Sequence, residues 1–146
     1  VWHQCGSEHF DEVKTAYGNL ERIEIRLSPF IRDMAEAYIW SDLVLCRAGA
    51  LTVAELAIMK CPALLVPLPN AIDDHQNSNG SVLAKCGAAK VLNQCELTES
   101  SLRTLLLALM DDSAILQDMS EAAFAAAKPL AARDICNLCL EVMNND

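Results

Sequence analysis

Two short runs of consecutive apolar residues, 43–46 and 63–66, constrain the fold of this 146-residue chain more than any other feature. A strand is apolar at every position when both of its faces are buried, as in a parallel sheet that helices cover on both sides. Residues 50–60, which lie between the two runs, have the spacing and composition of a helix. We therefore expect a strand–helix–strand unit with both strands near the centre of a parallel sheet.

The same alternation of strand and helix patterns continues on both sides of this unit. Further strand patterns occupy residues 1–5, 23–27 and 89–92, and further helical patterns occupy residues 10–17, 31–40 and 77–86. The 23–27 run alternates apolar and charged residues, which predicts a half-exposed strand near a sheet edge. Strands that alternate with helices predict an α/β fold with a Rossmann-like, doubly wound parallel sheet.

The last third of the chain has helical patterns only. Apolar stripes recur at helical spacing, and Pro129 separates the last helix from the others: Leu102, Leu105, Leu106 and Leu109, then Leu116 and Met119, then Ile135, Leu138, Cys139 and Val142. We find no repeat or internal linker in the sequence. We therefore expect one domain over residues 1–146.

Charge and cysteine usage limit the possible partners. The formal charge of −9 and the lack of basic clusters exclude nucleic acid as the main partner. The seven cysteines, an odd number scattered through apolar segments, indicate reduced thiols in a cytoplasmic protein. Cys136 and Cys139 lie in a helical pattern without a second Cys or His pair, so we favour core packing over a metal or redox site. No apolar run approaches the roughly 18 residues of a membrane span.

The segment that follows the first apolar run has residues suited to a phosphate. Ligands of open parallel sheets bind beyond the carboxyl ends of the strands, where Gly49 and the helix start at Ala50 offer backbone N–H groups. Arg47 adds a planar cation. On spacing alone, Thr52 and Glu55 favour a capping box, in which the carboxylate only satisfies a backbone N–H. The alternative is a carboxylate that accepts hydrogen bonds from ribose hydroxyls.

Two further segments could line the same ligand site. In the loop 67–79, His75, Gln76 and Asn77 offer neutral groups for sugar hydroxyls, unless an aspartate at 73 or 74 merely caps the next helix. Phe30 and Ile31 could pack against a flat base or form a hydrophobic staple for the helix that follows. His3 and Gln4 could line the cleft, although a buried structural histidine is equally consistent with the pattern.

Taken in order, these segments resemble one known family. The motifs are WHQCG after Val1, FIRDM from Phe30, CRAGALTVAEL from Cys46 and DDHQ from Asp73, and their order and spacing resemble the C-terminal domain of the MurG family. The resemblance implies a GT-B glycosyltransferase with two Rossmann-like domains. It further implies transfer of N-acetylglucosamine from UDP-N-acetylglucosamine to lipid I, which forms lipid II for peptidoglycan, with inversion and with no essential metal or cofactor.

The resemblance also implies roles for individual residues. Ile31 would contact uracil through its backbone, with Phe30 beside it. Glu55 would hold the ribose hydroxyls, in place of the capping role. The diphosphate and sugar would be faced by Arg47 and by the helix start at Gly49, Ala50 and Leu51, and the N-acetylglucosamine would be reached by His75 and Gln76. Many relatives have Gln at the position of His75.

Parts of the family pattern have no match in this sequence. The family's C-terminal domain opens with a strand and a Gly-Gly-Ser phosphate loop, so we expect a sheet without its first strand and Gly-rich loop. The lipid I site, the general base and the membrane contact belong to an N-terminal domain, so we expect no transfer by this chain alone. The full-length enzyme would lie at the cytoplasmic face of the inner membrane. Alternatives are another GT-B UDP-sugar enzyme and a non-catalytic donor-binding subunit.

Overall fold

The chain folds into two units of parallel α/β structure, Val1–Trp40 (unit 1) and Ser41–Asp146 (unit 2). The structure is a computed structural model that describes residues 1–18, 20, 23–69 and 75–144. Parallel strands joined through helices confirm the expected α/β class. The described strands form two sheets rather than one. The two strands of unit 1 pair with each other, and the three strands of unit 2 pair among themselves. A single domain over residues 1–146 stays a prediction.

Unit 1 is a strand–helix–strand–helix segment. Its elements are β1 (Trp2–Gln4), α1 (Phe10–Tyr17), β2 (Arg26–Ser28) and α2 (Met34–Trp40). The strands are parallel, with Trp2 opposite Arg26 and Gln4 opposite Ser28. The predicted stripe of α1 is confirmed, since its three half-buried residues are Phe10, Val13 and Tyr17 and the rest of the helix is exposed.

Two predicted boundaries in unit 1 are displaced. The strand expected over residues 23–27 begins at Arg26, and Ile23 lies before it with half of its surface exposed. The helix expected from residue 31 begins at Met34. Its start is set by Asp33, whose Oδ1 accepts a 2.9 Å hydrogen bond from the backbone N–H of Glu36 as an N-cap does.

Unit 2 is a parallel sheet followed by three helices. Its elements are β3 (Val44–Cys46), α3 (Ala50–Ile58), β4 (Ala63–Leu65), α4 (His75–Lys85), β5 (Ala89–Val91), a 3-10 turn (Gln94–Glu96), α5 (Glu99–Met110), α6 (Ser113–Ala126) and α7 (Ala131–Asn144). The sheet order is β3-β4-β5, and all pairs are parallel. The predicted order of elements is thus confirmed through α7.

The core of unit 2 lies on the central strand. All three residues of β4 are fully buried, and Leu64 packs with Leu109 of α5 and Met119 of α6. The predicted stripes surround this cluster: Leu102, Leu105, Leu106 and Leu116. The prediction that β3 is also buried on both faces is wrong. Leu45 is 49% exposed, because β3 pairs with β4 alone among the strands described here.

Helix α7 does not form part of this core. Neither Cys136 nor Cys139 is buried, and Leu138 is 60% exposed. The prediction that the two cysteines pack into a core is therefore wrong, because nothing in the described chain buries the apolar face of α7. None of the seven cysteines forms a disulfide bond in the part of the chain that the structure describes. Within the residues described, no helix combines the length and apolar character that crossing a bilayer requires.

Candidate functional site

The carboxyl ends of the three strands of unit 2 meet at one edge of the sheet, where Arg47 connects them. Its Nη1 donates hydrogen bonds to the backbone oxygens of Val66 (3.1 Å) and Pro67 (3.2 Å), which follow β4. The same nitrogen donates a 2.7 Å bond to Oε1 of Gln94, which follows β5. The Arg47 side chain is exposed. The site thus presents a charged guanidinium that is anchored at one of its nitrogens.

Beside Arg47, helix α3 begins without a side-chain cap. The N-cap is Gly49 in an extended conformation (φ −65°, ψ 147°), and the first helical bond runs from Val53 N–H to Gly49 O at 2.9 Å. The first N–H groups of a helix have no acceptor within the helix, and here no side chain or acidic residue of the first turn supplies one. Ala50 and Leu51 lie in this turn, and Leu51 is 80% exposed. Such a terminus favours binding of an anion.

Glu55 does not form the capping box that spacing alone favoured. With Gly49 as the N-cap, Thr52 takes the third helical position, and Glu55 lies one turn further on as an exposed residue. At about 1.5 Å per residue, its position is about 7.5 Å along the axis from Ala50. The helix starts earlier than Thr52 because Gly49 adopts the extended backbone that a cap requires. The carboxylate is therefore placed on the second turn, beyond the uncapped amides.

His75 and Gln76 form the first turn of α4. His75 is exposed, and Oε1 of the half-buried Gln76 accepts a 2.9 Å bond from the N–H of Leu68, which fixes the segment after β4. Asn79 of the same helix donates a 3.2 Å bond from Nδ2 to the backbone oxygen of Ala48. Helix α4 therefore braces the segments after both β3 and β4. The alternative cap at Asp73 or Asp74 lies outside the described residues.

Gly80 allows α4 to approach the sheet closely. A Cβ at this position would lie 3.2 Å from Cγ2 of Val91, 3.3 Å from Cβ of Ala48 and 3.4 Å from Cδ1 of Leu65. Real Cβ contacts are rarely that short. The lack of a side chain at Gly80 thus lets the segment after β3 pack closely against α4.

An open depression of about 280 Å³ adjoins these strand ends. This volume lies just below the usual range for small-molecule pockets, about 300–1,000 Å³. Its lining comes from the segment after β4, from α4, and from the end of β5 with the segment that follows it: Pro67, Leu68, Pro69, Asn77, Val91, Asn93 and Gln94. The described strand ends thus enclose a shallow space and not a deep cavity.

In unit 1, Phe30 and Ile31 follow β2 and differ in burial. Phe30 is 69% exposed, whereas Ile31 is buried and its N–H donates a 2.8 Å bond to Oε1 of Gln4. An exposed Phe30 does not fit the staple alternative, which needs an apolar contact with the helix. His3 is half-buried, and its Nδ1 lies 3.0 Å from the hydroxyl of Tyr17, which gives it a structural partner.

Two thiols of unit 2, the half-buried Cys46 and the buried Cys61, are not suited to nucleophilic chemistry at neutral pH. Burial, with a smaller contribution from Cys61, raises the pKa of Cys46 to about 11. Burial also raises the pKa of Cys61. A hydrogen bond with Ser41 lowers this pKa, but its effect is smaller than that of burial. A thiol, unlike a thiolate, is a poor nucleophile. Among the residues that the structure describes, no group of three or more His, Cys, Asp or Glu side chains could hold a metal ion.

Gln94 is the residue of this site that the sequence analysis missed. Its bond with Arg47 spans 47 positions of the chain, so no local pattern indicated it. Its only signal was its position two residues after the strand pattern of residues 89–92, at the edge of the sheet where Arg47 and the segment after β4 also lie.

The comparison with known proteins assigns the chain to a family of glycosyltransferases. The model of the glycosyltransferase family 28 C-terminal domain matches residues 1–135. A UDP-N-acetylglucosamine--N-acetylmuramyl-(pentapeptide) pyrophosphoryl-undecaprenol N-acetylglucosamine transferase from Pseudomonas fluorescens is 47% identical over 142 residues, which cover 97% of this chain and 40% of that protein. The chain thus spans about two fifths of the length of this relative.

Solved structures agree with this assignment. The crystal structure of MurG from Acinetobacter baumannii has a TM-score of 0.90 and 40% sequence identity, and the match covers 96% of this chain and 42% of that chain. The glycosyltransferase of kitacinnamycin matches with a TM-score of 0.62 over 93% of this chain and 34% of that chain, at 16% identity, and so shares the fold. The predicted resemblance to the MurG family and the Rossmann-like fold are thereby confirmed. The chain belongs to the glycosyltransferase family 28 C-terminal domain family.

Proposed function

We propose that this chain binds UDP-N-acetylglucosamine for a transferase that adds N-acetylglucosamine to lipid I and so forms lipid II. The observation that carries the proposal is the uncapped start of α3 at Gly49, next to the anchored guanidinium of Arg47. Backbone amides at a helix N-terminus and a planar cation are the groups that recognise a diphosphate. The likeness to transferases named for this donor and acceptor supports the choice of sugar nucleotide.

In this proposal the diphosphate is the leaving group, and unit 2 stabilises its charge. Negative charge grows on the UDP oxygens as the bond to the anomeric carbon breaks. The N–H groups of Ala50 and Leu51, with Arg47, are held in place before the reaction and therefore stabilise that charge without reorganisation. These protein groups thus stabilise the charge of the leaving group, as a metal ion does in other enzymes.

The remaining contacts are assigned on the resemblance. Glu55 accepts hydrogen bonds from the ribose hydroxyls, and its exposed place one turn beyond the uncapped amides is consistent with that role. His75 and Gln76 contact the N-acetylglucosamine from the first turn of α4. Contacts with uracil are assigned to Phe30 and to the backbone of Ile31.

Acceptor binding is assigned outside this chain. The resemblance places the lipid I site, the general base and the contact with the cytoplasmic face of the inner membrane in an N-terminal domain. A relative more than twice as long as this chain is consistent with such a division. We therefore propose that the chain alone binds the donor and does not transfer the sugar.

Calorimetric titration of the chain with UDP-N-acetylglucosamine tests the proposal. We expect saturable binding, weaker binding of UDP-glucose, and a loss of about tenfold or more in Glu55→Gln, since hydrogen bonds to a charged group contribute about 1.5–3 kcal/mol. Glu141→Gln is the matched control, because Glu141 is an exposed carboxylate on α7. A chain that binds no UDP-sugar, or that prefers another sugar nucleotide, would refute the proposed donor.

A further inference from the structure

We infer that Gln94 is a positioning residue, which holds the guanidinium of Arg47 in the orientation that receives the diphosphate. The inference rests on the proposed function, because it assigns a supporting role within that binding site. Gln94 itself contacts Arg47, and no contact with the sugar nucleotide is assigned to it.

Arg47 is anchored through a single nitrogen. The three bonds to Val66, Pro67 and Gln94 all use Nη1, a nitrogen with two hydrogens. The bond to Gln94 is the shortest at 2.7 Å, within the range of charge-assisted hydrogen bonds. It is also the only one of the three whose acceptor is a side chain, so substitution can remove it while the backbone acceptors remain.

The backbone around Gln94 is held without Arg47. Leu92 N–H donates a 2.8 Å bond to Leu65 O, which continues the pairing of β5 with β4. Asn93 then caps the 3-10 turn, since its Oδ1 accepts from Cys95 N–H at 3.1 Å. The carbonyl of Gln94 accepts from Leu97 N–H at 3.3 Å. Removing the Gln94 side chain therefore leaves the turn intact.

Anchoring of Arg47 in the free protein favours ligand binding. Arginine has five donors in one plane, so a bond at one nitrogen fixes the direction of the others. Ordering a long side chain weakens affinity when the ordering happens on binding, by about 2- to 12-fold for one side chain. Arg47 is exposed, and in the free protein Gln94 already restricts it. The bonds to Val66 and Pro67 remain when Gln94 is lost, so diphosphate binding should weaken by a factor toward the lower end of that range.

A neutral acceptor suits this role better than a charged one. A carboxylate at position 94 would keep the bond but would compete with the diphosphate for the same cation. We therefore expect Gln94→Glu to weaken UDP binding at least as much as Gln94→Ala, and the difference should shrink at high salt.

The experiment is a double-mutant cycle on the 146-residue chain with two ligands. The chain variants are Gln94→Ala, Gln94→Met, Arg47→Ala and the combination of Gln94→Ala with Arg47→Ala, and UDP and uridine are titrated by NMR. Gln94→Met keeps the length of the side chain without its acceptor, and Gln117→Ala, an exposed residue of α6, is the control. Thermal unfolding of each variant verifies that it is folded.

We expect both Gln94 variants to weaken UDP binding by a factor toward the lower end of about 2- to 12-fold, to leave uridine binding unchanged, and to have no further effect once Arg47 is alanine. Unchanged UDP binding, an equal loss for uridine, or an equal loss in the Arg47→Ala background would each overturn the inference. If the unsubstituted chain binds UDP and only the Gln94 effect is missing, the proposed function stands. If the unsubstituted chain binds no UDP, the proposed function fails and the inference fails with it.

Discussion

The backbone N–H of Ile31 donates a 2.8 Å hydrogen bond to Oε1 of Gln4, which joins the residue at the end of β1 to the segment after β2. Ile31 is buried, so loss of this acceptor leaves a partly buried amide unsatisfied. We predict that Gln4→Leu lowers the free energy of unfolding by about 1–3 kcal/mol. Gln4→Glu, which keeps an acceptor, should change it less.

Tryptophan fluorescence during urea unfolding measures this effect, because both tryptophans of the chain, Trp2 and Trp40, lie in unit 1. Hydrogen exchange at the Ile31 amide gives a second reading. Equal unfolding curves for Gln4→Leu and Gln4→Glu, with the amide still protected in both, would show that this bond does not stabilise unit 1.

Gly80 gives a prediction about packing in unit 2. The methyl group of Gly80→Ala would crowd Val91 and Ala48, and such overpacking usually costs about 1–3 kcal/mol. Higher helix propensity offsets about 1 kcal/mol of this cost. We therefore expect a net loss of up to about 2 kcal/mol by chemical denaturation, whereas Ser78→Ala at an exposed position of the same helix should be neutral or stabilising. A Gly80→Ala chain that is more stable than Ser78→Ala, as helix propensity without crowding would make it, would contradict the close approach of α4 to the sheet.

Cys46 gives a prediction about pH. Its pKa is about 11 in the folded chain, against an ordinary value of 9.0. Between these values the unfolded chain releases the proton while the folded chain keeps it, so stability from this group is complete below about pH 9 and is lost as the pH rises to about 11. The stability difference between the unsubstituted chain and Cys46→Ala should therefore shrink from pH 8.5 to pH 10.5.

The comparison with Cys46→Ala removes the effects of other groups that titrate in this range. A stability difference that stays constant with pH would contradict the raised pKa. Alkylation by iodoacetamide at pH 8 gives a second measurement. We expect slow reaction at Cys46 and Cys61 and fast reaction at the exposed thiols: Cys86, Cys95, Cys136 and Cys139.

Helix α7 gives a prediction about local stability. None of its residues is buried, whereas α5 contributes Leu109 to the core of unit 2. Helices with few buried apolar contacts open with a low free energy, so the amides of α7 should exchange much faster than those of α5. Hydrogen exchange measured by NMR on the chain tests this, and equal protection of the two helices would show that α7 is covered in solution.

Local periodicity was enough to predict most of the elements. The stripe of Phe10, Val13 and Tyr17 and the leucines of α5 face the buried side as expected, because residues three and four apart share one face of a helix whatever surrounds it. Burial was harder to predict. An apolar run such as 43–46 has the same sequence whether its strand is central or at an edge, and α7 has the apolar stripe of a core helix without a described partner.

The site shows a similar limit. Arg47, Gly49 and Glu55 could be named as candidates because they follow a recognisable strand in a continuous segment, and their binding roles stay predictions. The capping role that spacing favoured for Glu55 was wrong. Both Gly49 and Thr52 could start the helix, and the extended backbone of Gly49 sets the start. Gln94 could not be predicted, since its bond with Arg47 depends on the pairing of β5 with β4 and hence on tertiary structure.

The most direct test of the donor site is an NMR titration that follows the backbone amides of Ala50 and Leu51 at the start of α3. We predict that UDP and UDP-N-acetylglucosamine shift both signals in a saturable way, because the diphosphate accepts hydrogen bonds from the uncapped turn. Free N-acetylglucosamine and uridine, which carry no phosphate, should leave them in place. Saturable binding of UDP-N-acetylglucosamine with both amides unmoved would contradict the account.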